Sequence, residues 1–291
     1  MLNRIKSELL NFGLKFINVD EKIVRMLLES SSTNINEIVI LPAVKMVMKK
    51  LVDKLTQKIV YGRVYNGKLH GIPVSIIRTQ IGCPNAALVM ECLKRSKAKI
   101  VVRVDFCGGI SNSDTTIDIG DILIPNLAYC DDGTSPQYIR SNPSLMNNIE
   151  TIKNPLFASQ NLITGNYNLA IVKSKENVSE ILRREAISFL GNKAKTGKIW
   201  TTDALFCEDF EFTRSLQGLG INGIDMESSI IFLLGRLYNL KCGAMLSVSD
   251  LPGHPKYDLL KSNEIHPNME KGINDAIKVL LRSLPKISSL L

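Results

Sequence analysis

Three stretches of this chain set charged side chains at the ends of apolar strands or the heads of helices. The first is KIVVRVDFCGG, residues 99–109. Ile100, Val101 and Val102 form a β-branched run suited to a strand buried on both faces, as in a parallel sheet. Arg103 follows as a permanent cation at its end. An unpaired buried charge is costly, so Arg103 needs an anionic partner. That partner is either a protein carboxylate or a bound anion in the crevice beyond the strand's carboxyl end, where open α/β sheets bind ligands. The second stretch is Asp225-Met226-Glu227-Ser228, at the head of a helix, and the third is Asp250, directly after an apolar strand. Each has a plainer use: acids and hydroxyls cap helix N-termini, and Asp250 can cap a turn before Pro252. Together, an arginine and two acids at sheet crevices suit a polar ligand with an anionic part. The histidines, at 70, 254 and 266, have no metal-ligand spacing, and no metal site is expected.

The elements that must position these residues follow from periodicity. Residues 1–16 read as an amphipathic helix, and 20–30 as a second with Asp20 as its cap. EIVILP is a short strand ending at Pro42, followed by a helical run over 44–55. Residues 62–69 and 72–78 read as a β-hairpin with Asn66-Gly67 as its turn signal. A loop at 81–84 leads into a helix over 85–96, and the Arg103 strand comes next. ILIPNLAY is another strand; 142–168, rich in Asn, Pro and Ser, reads as a surface excursion with one short helix. Strands are expected at 169–173, 198–202 and 244–249, and helices at 179–190, 226–238 and 269–284. Strands alternating with helices predict a three-layer α/β/α sandwich around a mostly parallel sheet.

Composition narrows the class. The chain has 291 residues, 45% of them hydrophobic, and no linker, repeat or composition shift. One domain over 1–291 is expected, with a helical extension over about 1–35. No apolar run is long enough to span a membrane. The N-terminus lacks the apolar core and cleavage site of a signal peptide. The scattered cysteines contain no CxxC pair and suggest reduced thiols in a cytoplasmic protein. The net charge is +8, but Lys and Arg are spread along the chain and no basic run carries interleaved aromatics. Neither nucleic acid nor membrane is therefore expected as a partner.

The motifs in order carry a resemblance. TQIGCPNAALVMECL, IVVRVDFCGG, IGDILIP, DDGTSPQY, GIDMESS and LSVSD together resemble the purine nucleoside and uridine phosphorylase family, over most of the chain from about Ile38. The family implies the three-layer fold and trimers or hexamers with shared sites; a dimer or hexamer is expected here. It also implies cleavage of an N-glycosidic bond by phosphate to give free base and ribose 1-phosphate, a pentosyl transfer of purine salvage. Phosphate is then a co-substrate, with no metal or organic cofactor. On this resemblance Glu227 holds the ribose hydroxyls and steadies a cationic sugar. Met226 packs on the sugar beside Asp225, and Leu205 or Phe206 stacks on the base. Arg103 grips phosphate, and Asp250 protonates a purine leaving group at N7. Uridine-cleaving relatives carry a Gln and an Arg after the segment matching TTDALFCEDFEF and lack an acid at the place of Asp250, so purines are expected over uridine.

The phosphate half departs from the family. Its Gly-Asp-Pro-x-Arg loop is matched by Pro42-Ala43-Val44-Lys45-Met46, where Lys45 is the candidate phosphate ligand in place of the arginine but lacks its bidentate fork. Phe106 stands where a Ser or Thr is usual, and Asp105 replaces a glycine and could pair with Arg103. For the arginine lent by a neighbouring subunit the candidates are Lys58 and Arg63, and there is no N-terminal histidine for the ribose 5′-hydroxyl. Phosphorolysis is the leading expectation. Uridine phosphorylase, a hydrolytic nucleosidase and a non-catalytic nucleoside binder are the alternatives; Arg103 and the lack of an acid at 42–46 favour a phosphorylase over a nucleosidase.

Overall fold

The computed structural model describes residues 18–156 and 167–291. The helix expected over 1–16 and part of the excursion at 142–168 lie outside the described residues. In chain order the elements are α1 (Val19–Leu28), β1 (Ile38–Leu41), α2 (Lys45–Val52), β2 (Thr56–Tyr61), β3 (Val64–Leu69), β4 (Ile72–Ile77), α3 (Cys83–Lys94) and β5 (Ile100–Gly109). After β5 come β6 (Ile122–Asp131), α4 (Ser135–Ser141), β7 (Glu150–Lys153), β8 (Asn168–Lys173), α5 (Glu176–Leu190) and β9 (Ala194–Thr202). The chain ends with α6 (Phe210–Gly218), β10 (Ile221–Asp225), α7 (Ser228–Leu237), β11 (Lys241–Asp250) and α8 (Pro267–Ser288).

Alternation along β5 builds the layers. Ile100, Val102 and Val104 pack into one apolar cluster with residues of α2, α5 and α8. Val101 and Cys107 pack into a second, with residues of α1, α3 and α7. Side chains two apart share a face, so Arg103 and Asp105 lie on the α3 and α7 side. The result is the predicted α/β/α arrangement around a mixed sheet in the order β2-β3-β4-β1-β5-β10-β9-β6-β8-β7, with β11 pairing β5 and β6. β1 and β11 run parallel to β5, and β6 and β10 parallel to β9, but β10 meets β5 and β11 meets β6 antiparallel, so the sheet is mixed rather than mostly parallel as expected. The outer hairpins are antiparallel. Because β10 also meets the far end of β5, the pairings β5-β11-β6-β9-β10-β5 close on themselves. That closure brings the ends of β5, β10 and β11 together.

Several boundaries differ from the sequence reading. The hairpin turn is His70-Gly71, at φ 49° and 82°, while Asn66-Gly67 lies inside β3. Positive φ at both central residues is the tight-hairpin geometry whose twist matches the strands. Asn18, not Asp20, caps α1 by accepting from the Glu21 amide. Strand β2 is exposed along its whole length and so carries no burial pattern to read. Helix α6 begins at an Asp209 cap that accepts from the Phe212 amide at 2.8 Å.

Replacing Gly71 with Ala isolates the backbone cost of this turn. Its Cβ would have no heavy atom within 4 Å, so only the left-handed conformation is penalised. Chemical denaturation should show a loss of about 1 kcal/mol; unchanged stability would mean the turn adopts another geometry.

Candidate active site

Arg103 settles between the end of β10 and the start of α7. Its side chain is 2% exposed, and its Nη1 donates to Asp225 Oδ2 at 2.7 Å and to Ser228 Oγ at 3.1 Å. Its Nη2 donates to Glu227 Oε2. Protein carboxylates, Asp225 and Glu227, are thus partners of Arg103. Burial alone would weaken the guanidinium's hold on its proton, but Asp225 and Glu227 outweigh it and push its pKa up.

The acids serve the fold as well. Asp225 Oδ2 accepts from the Ser228 amide at 2.9 Å, so it does cap α7, and Oδ1 accepts from Thr201 Oγ1 at 2.7 Å. Glu227 Oε1 accepts from the Gly82 amide at 2.7 Å. Gly82 sits at φ 103°, which L side chains rarely adopt, and the αL-like Gln80 precedes it at φ 68°. The loop before α3 is thereby tied to Glu227. Met226 is half-buried beside it, its carbonyl accepting from Cys83 Sγ at 3.2 Å. Burial pushes the Glu227 carboxyl above the usual carboxylate range, against the pull of Arg103. Two oxygens of a carboxylate offer about four acceptor positions, and Gly82 and Arg103 use one on each oxygen.

The network continues through residues the sequence reading left unassigned. Ser229 donates its amide to Thr201 Oγ1 at 3.1 Å and its hydroxyl to Asp132 Oδ2 at 2.7 Å. Asp132 also accepts from Ser135 Oγ at 2.8 Å, tying in the head of α4. Asp132 and Ser135 lie in the DDGTSPQY motif, Ser229 in GIDMESS and Thr201 at the head of TTDALFCED.

Asp250 ends β11 and is buried. It accepts from Ser249 Oγ at 2.7 Å and from the Leu259 amide at 3.3 Å. Burial raises its pKa, with a smaller push from Asp258, against those two hydrogen bonds. It lines a cavity of about 160 Å³ with Tyr257, His266 and Met269, and Glu227 and Arg103 do not reach that cavity. Glu208, in the segment before α6, is a buried acid missed in the sequence. Burial first, then the charges of Asp250, Asp258 and Asp225, push it to about 8. It lies one residue after FC in TTDALFCEDFEF, where the base-stacking side chain drew the reading. There, Phe206 is 86% exposed and Leu205 half-buried.

Within one chain Lys45, Arg63 and Phe106 do not converge on Arg103, and Arg63 is expected to act on a neighbour's site rather than its own. Lys45 is exposed at the first residue of α2. Arg63 donates to the carbonyls of Leu27 at 3.0 Å and Arg78 at 3.4 Å. Phe106 lies on the opposite face of β5 from Arg103, packed against the α2, α5 and α8 cluster. Asp105 does not pair with Arg103. Its Oδ2 accepts from the Ala43 amide and, at 3.2 Å, the Val44 amide, and Oδ1 accepts from the Phe106 amide at 3.0 Å. Arg78, which the sequence reading passed over, places its Nε 2.8 Å from the Ala43 carbonyl.

A mixed α/β sheet with the arginine of β5 and the acids of the β10–α7 junction meeting at the strand ends has the arrangement of sheet-crevice α/β proteins. Residues 37–285 match the model of the phosphorylase superfamily, and the chain belongs to that family. A guanosine phosphorylase of Halorubrum lacusprofundi is 23% identical over 223 residues, 76% of this chain and 80% of that protein. A DeoD-type purine nucleoside phosphorylase of Clostridium novyi is 28% identical over 187 residues, 64% of this chain and 67% of that protein. Among solved structures, purine nucleoside phosphorylase from Toxoplasma gondii with immucillin-H aligns with a TM-score of 0.67 at 18% identity, covering 91% of this chain and 96% of that one. Uridine phosphorylase from Vibrio fischeri aligns with a TM-score of 0.66 at 22% identity, covering 88% and 95%. These likenesses establish the fold. No helix among the described residues is long and apolar enough to cross a membrane.

Two measurements probe the cluster. Arg103→Ala leaves Asp225 and Glu227 facing each other without a cation, and denaturation should show a loss of about 3–5 kcal/mol; a loss below about 1 kcal/mol would contradict the buried pairing. Glu208 binds its proton more tightly folded than unfolded. Its contribution to stability is therefore full below the unfolded value of 4.5 and lost as pH rises through about 8. The difference in melting temperature between Glu208→Gln and the parent chain should shift in favour of Gln across that window; a pH-independent difference would show Glu208 to be solvated.

Proposed function

We propose that this chain cleaves the N-glycosidic bond of a purine nucleoside. The observation that carries the reading is the placement of Glu227 at the start of α7, held by Arg103 and Gly82 with acceptor capacity left over. A ribose diol is a pair of donors two atoms apart, and a fixed carboxylate suits it. As the C–N bond stretches, positive charge builds on the sugar, and a carboxylate there stabilises the transition state more than the ground state. Met226 beside it offers an apolar wall for the sugar ring.

Asp250 supports a purine rather than a pyrimidine. Burial favours its protonated form, which a general acid needs in order to hand a proton to the leaving base. A purine has a basic N7 to receive it; uracil has none. The guanosine and purine nucleoside phosphorylases among the relatives agree with this choice, while a uridine phosphorylase of Thermococcus kodakarensis, 26% identical over 188 residues, shows that the family also takes the other base.

Release of base from inosine, guanosine, adenosine and uridine tests the reading. Purine nucleosides should be the better substrates. Asp250→Asn should lower kcat far more than it raises KM. Glu227→Gln, which keeps the shape and the Gly82 contact, should lower kcat/KM by at least ~10²-fold, since a charge facing the transition state is lost. Uridine as the best substrate, or full activity in both variants, would overturn it.

A further inference from the structure

The resemblance calls for a phosphate held by the loop after β1, the strand arginine and a hydroxyl three residues beyond it. In this chain each of those positions is accounted for from within. Arg103 is turned into the Asp225–Glu227 pair, with the Ser228 hydroxyl on the same nitrogen. The hydroxyl position is Phe106, packed on the far face of the strand. The loop amides of Ala43 and Val44, at the head of α2, both donate to Asp105.

Asp105 reaches this position by register. It lies two residues beyond Arg103, on the same face of β5, and β1 runs alongside with Leu41 opposite Arg103. The chain leaving β1 therefore passes directly in front of the Asp105 side chain. Val44, the residue before α2, offers no side-chain cap of its own. A carboxylate on two amides at a helix head is the arrangement by which such a terminus holds an anion. Asp105 is 1% exposed, and burial raises its pKa against the pull of Arg103 and the three amides. The amides a phosphate would use are thus taken by a fixed side chain.

We propose that Asp105 fills the anion site of this fold from within, so that water rather than phosphate attacks the anomeric carbon. This rests on the reading of the chain as a nucleoside-cleaving protein. In the step, the water oxygen bonds to the anomeric carbon as the C–N bond breaks. The bond pair leaves with the base, which takes the proton held by Asp250. The proton released by water returns to Asp250 through solvent. The products are free base and ribose, and no further reactant is needed.

The test has two arms. In the first, the full chain is incubated with inosine, guanosine or adenosine, with and without inorganic phosphate, and the sugar product is identified. Base release at the same rate in both, with ribose as product, is expected; ribose 1-phosphate formed only when phosphate is present would overturn the proposal while leaving glycosidic cleavage standing. No cleavage of any nucleoside would sink that reading and water attack with it. The second arm measures inorganic phosphate binding by calorimetry and does not depend on turnover. The parent chain should bind it at least ~10-fold more weakly than Asp105→Gly, in which the Ala43 and Val44 amides are freed. Asp105→Asn, which keeps the shape and removes the charge, should gain binding more weakly and serves if the glycine variant does not fold. Phosphate binding by the parent chain that these changes leave untouched would show that the site is not filled by Asp105.

Discussion

A cation buried away from solvent is the constraint from which the rest of the site follows. Arg103 sits on a strand buried on both faces, and its guanidinium cannot lose its proton to escape the cost. It must be neutralised by neighbours, and two acids converge on it from the β10–α7 junction. The same acids then take up the backbone: Asp225 caps α7, and Glu227 fastens the loop before α3. Thr201, Ser229 and Asp132 extend the network to β9 and α4. An ion pair of this kind need not add stability relative to an apolar core, but removing one partner strands the others. It specifies where the strand ends meet.

The surplus of negative charge gives the site its chemistry. Arg103 balances one carboxylate, yet Asp225, Glu227 and Asp105 all lie near it, and Glu208 and Asp250 stand close by. Buried acids with too few cations hold their protons more tightly. Such groups are suited to giving a proton to a leaving base, and opposing environments among neighbouring acids are a common sign of an acid–base site. In the proposed reaction phosphate is excluded by Asp105, which occupies the Ala43 and Val44 amides.

The central strand, the layer order and the three chemical stretches were legible because each leaves a local mark. IVVRV declares a buried strand and a cation needing a partner; GIDMESS marks a helix head; LSVSD ends an apolar run in an acid. What was not legible depends on register. Asp105 was read against Arg103, its neighbour on the strand, because nothing local shows that the chain after β1 passes in front of it. Glu208 looked like one more polar residue of a loop, since its burial is conferred by segments far along the chain. The turn at His70-Gly71 lost to Asn66-Gly67 because the dipeptide signal is strong and the strand that displaces it, β2, is exposed and shows no alternation.

The role of Glu227 depends on where a nucleoside sits. A crystal structure of the full chain with a non-cleavable purine nucleoside analogue tests this most directly. The ribose 2′- and 3′-hydroxyls should lie within hydrogen-bonding distance of Glu227, the sugar against Met226 and the base N7 toward Asp250, with Arg103 still paired to Asp225. A nucleoside bound away from Glu227, or the diol held by other residues while Glu227 stays closed on Arg103 and Gly82, would contradict it.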